Sequence, residues 1–202
     1  MNELLEMIAE PSGEICRKIL EDNQELLKTS PGSAHNHQNW KGGYWDHVVE
    51  VMNFWVLLYG TLEATGRIQQ LPEEECFSLS DGLLILFLHD LEKPWRYRLE
   101  NDSPIQDANG EFVIDEELKS KAARSNFVQN RLKEYGLELT PNQKNGLKYV
   151  EGVRDGDYRS NDRVMKPLAT LCHCCDLLSA RGFYAFPLAE NDPWALGRIV
   201  IK

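Results

Sequence analysis

An unbroken apolar run from Leu83 to Leu88 is followed at once by His89 and Asp90. A helix that is apolar on every side has to be buried, so this run predicts a helix in the middle of the core. The imidazole and the carboxylate at its end are carried inward with it. Burying both groups costs several kcal/mol unless they are paired, hydrogen-bonded or bound to a metal. The two residues are therefore either a satisfied pair within the core or part of a metal site.

The rest of the chain shows the same helical periodicity. With no repeat and no long linker, it predicts a single all-α domain over residues 1–202. Pro11 separates the first two predicted helices, with Ser12 as the cap of the second. The predicted helices cover residues 3–10, 13–29, 44–64, 82–93, 115–135, 141–151 and 166–181.

Caps and helix-breaking residues mark the ends of several of these helices. We expect Ser80 or Asp81 to cap the helix at 82–93 and Pro94 to terminate it. Thr140 is the expected cap of the helix at 141–151, and Gly182 is the expected stop of the last helix.

One region departs from the helical pattern. Residues 95–99 and 111–114 flank the turn sequence Asp107-Ala108-Asn109-Gly110, which predicts a small β-hairpin inserted within 95–114. The final segment, 183–202, contains two prolines and is expected to form an irregular strap.

The charge of the chain limits its partners. Twenty-two Lys and Arg residues stand against thirty-two Asp and Glu residues, for a formal net charge of −10. Such a surface repels a polyanion, so extended nucleic acid is a disfavoured partner. A small anion can still be bound where a few cations are concentrated in one cleft.

The sequence shows no membrane or export signal. Its N-terminus lacks the basic and apolar regions of a signal peptide, and its apolar runs are too short to cross a bilayer. We therefore expect a cytoplasmic protein without membrane contact. The odd number of cysteines fits reduced thiols. Cys172, Cys174 and Cys175 diverge on one helix, so we expect packing residues there rather than a structural zinc site.

Two further metal-capable residues lie on helices that their composition predicts to be buried. His47 is in the first turns of the helix after Gly42 and Gly43, and Asp176 lies within the apolar stretch of the last helix. Together with His89 and Asp90 they offer a mixed nitrogen and oxygen ligand set for a divalent ion.

The order and spacing of these residues resemble those of the HD-domain metal-dependent phosphohydrolases. Three segments, spread over about residues 35–182, carry the resemblance. They are the glycine-pair segment Gly42-Gly43-Tyr44-Trp45-Asp46-His47, the His-Asp-x-x-Lys variant His89-Asp90-Leu91-Glu92-Lys93, and the last-aspartate segment Asp176-Leu177-Leu178-Ser179-Ala180-Arg181.

The resemblance implies an all-α HD-domain helical bundle in which His47, His89, Asp90 and Asp176 bind a divalent metal and a metal-bound water attacks a phosphate ester. His173 is the one histidine between Asp90 and Asp176, whereas the family's two-metal members have more. We therefore expect one ion, with Glu151 as the nearest substitute for the missing ligands. Its identity stays open among Mn, Co, Ni, Fe, Mg and Zn.

The resemblance gives Lys93 a phosphate-contacting role, and we expect it to share a helix face with His89, four residues earlier. A lysine favoured by the helix dipole is the other interpretation. With Lys93 and Asp90 as predicted catalytic residues, His173 is a third candidate, either as a general acid, as a partner of a metal ligand or as a plain core histidine.

Further basic residues could contact the substrate or simply face solvent. Arg181 and His37 are candidate substrate-binding residues, and His35 is a weaker one. Arg154, Arg159 and Lys166 form either a solvated loop or a phosphate-binding lid.

Three functions are compatible with these patterns. The first is a phosphohydrolase acting on a nucleotide or a similar small phosphorylated metabolite. The second is a nuclease or accessory domain, because the segment before Gly42 also resembles that of HD domains in 3′-exoribonucleases and in conjugation or phage proteins. The third is a non-catalytic HD domain that binds a metal or a nucleotide without turnover.

Overall fold

The structure, a computed structural model, describes residues 1–33, 36–99, 112–153, 156–157 and 163–183. These residues are mostly helical, which confirms the all-α prediction. The helices are α1 (Asn2–Leu5), α2 (Ser12–Asp22), α3 (Gln24–Thr29), α4 (Gly43–Ala64), α5 (Leu79–Leu88), α6 (Lys93–Arg96), α7 (Lys121–Glu134), α8 (Pro141–Tyr149) and α9 (Pro167–Leu177). Short 3₁₀ turns cover Ile68–Gln70, Glu73–Glu75 and Glu116–Leu118, and a π-helical turn, Leu178–Gly182, follows α9.

Helix α5 lies at the centre of the core, as its apolar sequence predicts. Every residue from Leu83 to Leu88 is at most 1% exposed. Helices α1, α2, α4, α8 and α9 all pack against α5. The most extensive contact is with α4, where the indole Nε1 of Trp55 donates a hydrogen bond to the carbonyl of Leu79 over a distance of 2.8 Å. The residues that follow α5 are thereby held inside the molecule.

Both predicted ends of this helix were wrong. The cap is Ser78, which forms a reciprocal capping box with Asp81, whereas Ser80 accepts a hydrogen bond from the backbone of Ala9. At the other end the α-helix stops at Leu88, because i→i−3 hydrogen bonds replace its regular pattern from residue 91 onward. Pro94 therefore lies inside α6 instead of terminating α5.

Other boundaries also shifted. The predicted helix 13–29 is divided at Asn23, whose backbone leaves the helical region and whose side chain bonds to the Ile19 carbonyl and to Tyr135. The predicted helix 3–10 shortens to α1, and the one predicted at 115–135 begins only after the Ser120 cap. The Thr140 capping box is present as expected.

Two short strands account for the irregular region. Tyr97–Leu99 (β1) and Phe112–Ile114 (β2) pair in an antiparallel arrangement, with Tyr97 opposite Ile114. The predicted turn at 107–110 lies outside the described residues, as does the C-terminal strap beyond residue 183. Among the residues that the structure describes, none of the helices combines the length and apolar character that a membrane crossing requires.

Candidate metal centre

Three separate segments bring the four predicted metal ligands together. His47 lies in the second turn of α4, His89 and Asp90 form the turn after α5, and Asp176 lies near the end of α9. His47 is fully buried, His89 and Asp90 are buried, and Asp176 is partly exposed. Each of the four side chains is thus placed by a helix whose apolar face is packed into the core.

The two glycines before His47 permit a close approach to the preceding loop. Gly42 has a φ of 84°, a left-handed conformation that favours glycine. A Cβ atom on Gly43 would lie 1.9 Å from the carbonyl oxygen of Gln38. The loop carrying His37 and Gln38 therefore packs directly on the start of α4.

Three of the residues, His47, His89 and Asp90, have donor atoms at distances typical of ligands around one ion, and Asp176 lies beside the two histidines. The Nε2 atoms of His47 and His89 are 3.2 Å apart, and Asp90 Oδ2 lies 3.4 Å from the first and 3.2 Å from the second. Asp176 Oδ1 lies 3.3 Å from His47 Nε2 and 3.7 Å from His89 Nε2. Neighbouring ligands with bonds of about 2.1 Å are separated by roughly 3.0–3.4 Å in octahedral or tetrahedral geometry.

Hydrogen bonds on the far side of each ring orient both imidazoles. His89 Nδ1 lies 2.7 Å from the carbonyl oxygen of Leu86, an atom that can only accept, so Nδ1 carries the proton. His47 Nδ1 lies 2.9 Å from the hydroxyl oxygen of Ser179. Because Nδ1 is the donor in both rings, both Nε2 atoms face the centre and are the ones that a metal would bind in place of a proton.

A buried hydrogen-bond network behind His47 explains why its Nδ1 is the donor to Ser179. The Ser179 hydroxyl donates to the carboxylate of Glu50, so its lone pairs are left to accept. It accepts from His47 Nδ1 and, at 3.0 Å, from the side-chain amide of Gln38. Glu50, Ser179 and Gln38 are all buried. These three residues hold the ring of His47 in place.

The electrostatics of the site favour a positive charge between the two carboxylates. Burial alone would lower the pKa of His89, but Asp90 and Asp176 outweigh it and hold that pKa well above its ordinary value. Burial would raise the pKa of Asp90, but His89 and Lys93 hold it well below its usual range. Burial would raise the pKa of Asp176, but its contacts with the rings of His47 and His89 lower it. A divalent cation would satisfy this field.

Lys93 is buried and pairs with one of the candidate ligands. Its Nζ lies 2.5 Å from Asp90 Oδ2. Burial would lower the pKa of Lys93, but Asp90 raises it, so the amine stays charged. The expected one-turn spacing from His89 on a continuous helix is wrong, because α5 has already ended. Lys93 is instead placed by the tight turn after Asp90.

His37 lies beside the centre. Its ring centroid is 5.2 Å from that of His47, and its Nε2 is a buried atom without a hydrogen-bond partner among the described residues. Burial, together with Lys93 and His47, lowers the pKa of His37 to about 4, so the ring is neutral near pH 7. His35 lies outside the described residues.

Three other predicted residues, His173, Arg181 and Lys166, form no hydrogen bond or ion pair with the four ligands within the described part of the chain. His173 Nδ1 is 2.7 Å from the carbonyl oxygen of Val150. Arg181 is exposed on the π-helical turn. Lys166 donates to Asn142 and so ties down the start of α9, whereas Arg154 and Arg159 lie outside the described residues.

Sequence reasoning missed the supporting residues. Glu50 follows His47 by three positions, and Ser179 follows Asp176 by three, so each pair shares a helix face. Polar residues at that spacing on otherwise apolar helices are the signal that could have found them. Gln38 offers no such signal, because its loop is positioned by packing on Gly43.

A cavity of about 420 Å³ opens beside the centre, between α7 and α8. His89 and Glu92 line its inner end, and four cations, Lys121, Arg124, Lys144 and Lys148, lie among its walls. Burial and Asp90 raise the pKa of Glu92 to about 7. The cavity lies within the size range of small-molecule pockets.

Comparisons of the chain with protein-family models, with curated proteins and with solved structures gave no match.

Proposed function

We propose that this chain is a divalent-metal-dependent phosphohydrolase of the HD-domain type, with His47, His89, Asp90 and Asp176 as the ligands of one ion. The convergence of two inward-facing Nε2 atoms and two carboxylates carries the proposal. Two imidazoles with unprotonated nitrogens at 3.2 Å repel each other unless a proton or a cation lies between them. Asp90 Oδ2 also lies close to both Nε2 atoms, so it offers a negative charge to a cation bound there.

A divalent ion in this site would supply hydroxide near neutral pH and would polarise a phosphoryl oxygen. The protein's own residues hold the reactants around it. Lys93 keeps Asp90 ionised and adds positive charge beside the phosphate. The neutral His37 lies on the other side of His47, where its Nε2 can hydrogen-bond to substrate or water.

The substrate that fits best is a small phosphate ester such as a nucleotide. The cavity beside His89 has about the volume of a small ligand, and its wall cations are local exceptions to a net charge of −10. A long nucleic acid would lie across the negative remainder of the surface. These two features favour a small substrate over a polymer.

The metal content of purified variants tests the proposal. We expect about one equivalent of metal in the wild type. His89→Ala and Asp176→Asn should each lose most of the metal and most of the hydrolysis of a nucleotide panel, because each removes a ligand. Glu21→Gln, which removes an exposed carboxylate on α2, is the matched control and should retain both.

Metal analysis and phosphate release separate two kinds of failure. Wild-type metal content in both ligand variants would contradict the assignment of the site. A metal-loaded wild type that releases no phosphate from any mono-, di-, tri- or cyclic nucleotide, with Mn²⁺, Co²⁺, Ni²⁺ or Mg²⁺ present, would contradict the activity. Far-ultraviolet circular dichroism of each variant checks that the fold is retained.

A further inference from the structure

The cavity between α7 and α8 concentrates positive charge in an acidic protein. Lys121, Arg124, Lys144 and Lys148 line it, against Glu92 and Glu151. Of the two acids, Glu92 lies toward the centre, since it is buried and only two residues from Asp90. The cations come from α7 and α8. The cavity is thus acidic at the metal end and basic in its outer part.

Two of the four cations are already engaged. Lys148 Nζ bonds to the hydroxyl of Tyr149 and to Asp157. Arg124 donates to the carbonyl of Lys119 and lies 3.8 Å from Glu92. Within the described part of the chain, Lys121 and Lys144 form no ion pair. Their charges remain available to an anion in the cavity.

The start of α7 adds to the positive field. Lys121 is the first residue of α7 after the Ser120 cap, Arg124 follows in its first turn, and that turn contains no acidic residue. The helix dipole disfavours cations at this end and favours an anion. The cations at the start of α7 are therefore unfavourably placed in the free protein. An anion bound between α7 and α8 would make their position favourable.

The lining also offers a surface for the uncharged part of a ligand. Val128, Leu147 and Val150 supply apolar contacts, and Ser125 and Gln129 supply hydrogen-bonding groups. An apolar floor with a few polar groups is typical of small-molecule sites. The cavity therefore suits a ligand with an organic body and an anionic group at its outer end.

We propose that this cavity binds a second phosphate of the substrate, so that the preferred substrate is a small ester with two separate phosphate groups, one at the metal centre and one at Lys121 and Lys144. The position of the first phosphate rests on the proposed function. The second subsite rests on the cavity and its cations alone.

Calorimetric titration with inorganic pyrophosphate and with orthophosphate tests the second subsite without requiring turnover. The full chain is titrated as purified and again after chelation. The Lys121→Gln/Lys144→Gln variant should bind pyrophosphate about tenfold more weakly than wild type in both states, because two charge-assisted contacts are lost. The control, Lys18→Gln/Lys133→Gln, removes the same charge from exposed lysines that do not line the cavity.

Three outcomes would overturn the proposal. The first is that the wild type does not bind pyrophosphate, and the second is an equal loss of affinity in the control variant. The third is tighter, Lys121-dependent binding of a short oligothymidylate, which would assign the cavity to a nucleic acid. If the protein binds no metal but still binds pyrophosphate through these lysines, the proposed function fails and the subsite stands.

Discussion

At the scale of single residues, Ser179 links the metal centre to the core. It accepts a hydrogen bond from His47 Nδ1 and donates one to Glu50, so it sets both the tautomer and the angle of the ring. Without the hydroxyl, His47 could place its proton on either nitrogen. A proton on Nε2 competes directly with a metal.

The Ser179→Ala variant should therefore bind a divalent ion about 10–100-fold more weakly than wild type while remaining folded. Titration against a chromophoric chelator measures the change in Kd. The matched control is Ser30→Ala, because Ser30 is also a buried serine but donates to the Leu26 carbonyl instead. Unchanged metal affinity in Ser179→Ala would show that the serine does not orient the ligand.

The type of a residue and the helix it lies on were enough to predict the candidate ligands, but not the direction of the other side chains. The four candidate ligands were predicted from metal-capable side chains on apolar helices, and the structure brings them together. The roles expected for His173 and Arg181 depended on where their side chains point, which spacing does not determine. His173 turns to the Val150 carbonyl because α8 ends beside it.

At the scale of the helices, the contact of α4 with α5 depends on one glycine. A Cβ atom on Gly82 would lie 1.9 Å from the indole ring of Trp55. Trp55 cannot move aside easily, because it is fully buried and its Nε1 bonds to the Leu79 carbonyl. The small residue thus sets the distance between the two helices that carry His47 and His89.

We expect Gly82→Ala to lower the free energy of unfolding by about 1–3 kcal/mol, because overpacking outweighs the helix propensity that alanine adds. Urea denaturation followed by circular dichroism measures the change. In Gly156→Ala, the control, the new methyl group meets no atom of the described residues within 4 Å, and stability should stay close to that of wild type. An unchanged or raised stability in Gly82→Ala would contradict this packing.

The sequence predicted which segments are helical better than where they begin and end. Helix α5 was predicted because its whole surface is apolar, and α8 because proline follows a threonine cap. The break at Asn23 was missed because it depends on a hydrogen bond to Tyr135, which is 112 positions away. Apolar periodicity carries no information about such distant partners.

At the scale of the whole molecule, the charge is unevenly distributed. The net charge of −10 comes from an acidic surface, whereas the cavity beside the centre contains four cations. The net charge by itself only disfavours a polyanion. The position of the four cations is what favours a small anionic ligand. The sequence offered the first part of that argument and the fold the second.

The accessibility of the five cysteines reports how well the core is packed. Cys76 and Cys174 are exposed, whereas Cys16, Cys172 and Cys175 are buried. Burial raises the pKa of Cys16 to about 12 and also raises that of the other two buried thiols. The buried thiols are therefore protonated as well as inaccessible near neutral pH, and both properties prevent reaction.

We expect an aromatic disulfide reagent at about pH 8 to modify two thiols quickly in the native protein and all five in denaturant. The Cys76→Ser/Cys174→Ser variant should lose the fast phase. Rapid modification of a third thiol in the native wild type would contradict the packing around α9. Because Cys175 adjoins Asp176, a divalent ion bound at the proposed centre should slow the remaining phase by disfavouring local opening of α9. The same reaction rate therefore reports on the core and on the metal centre together.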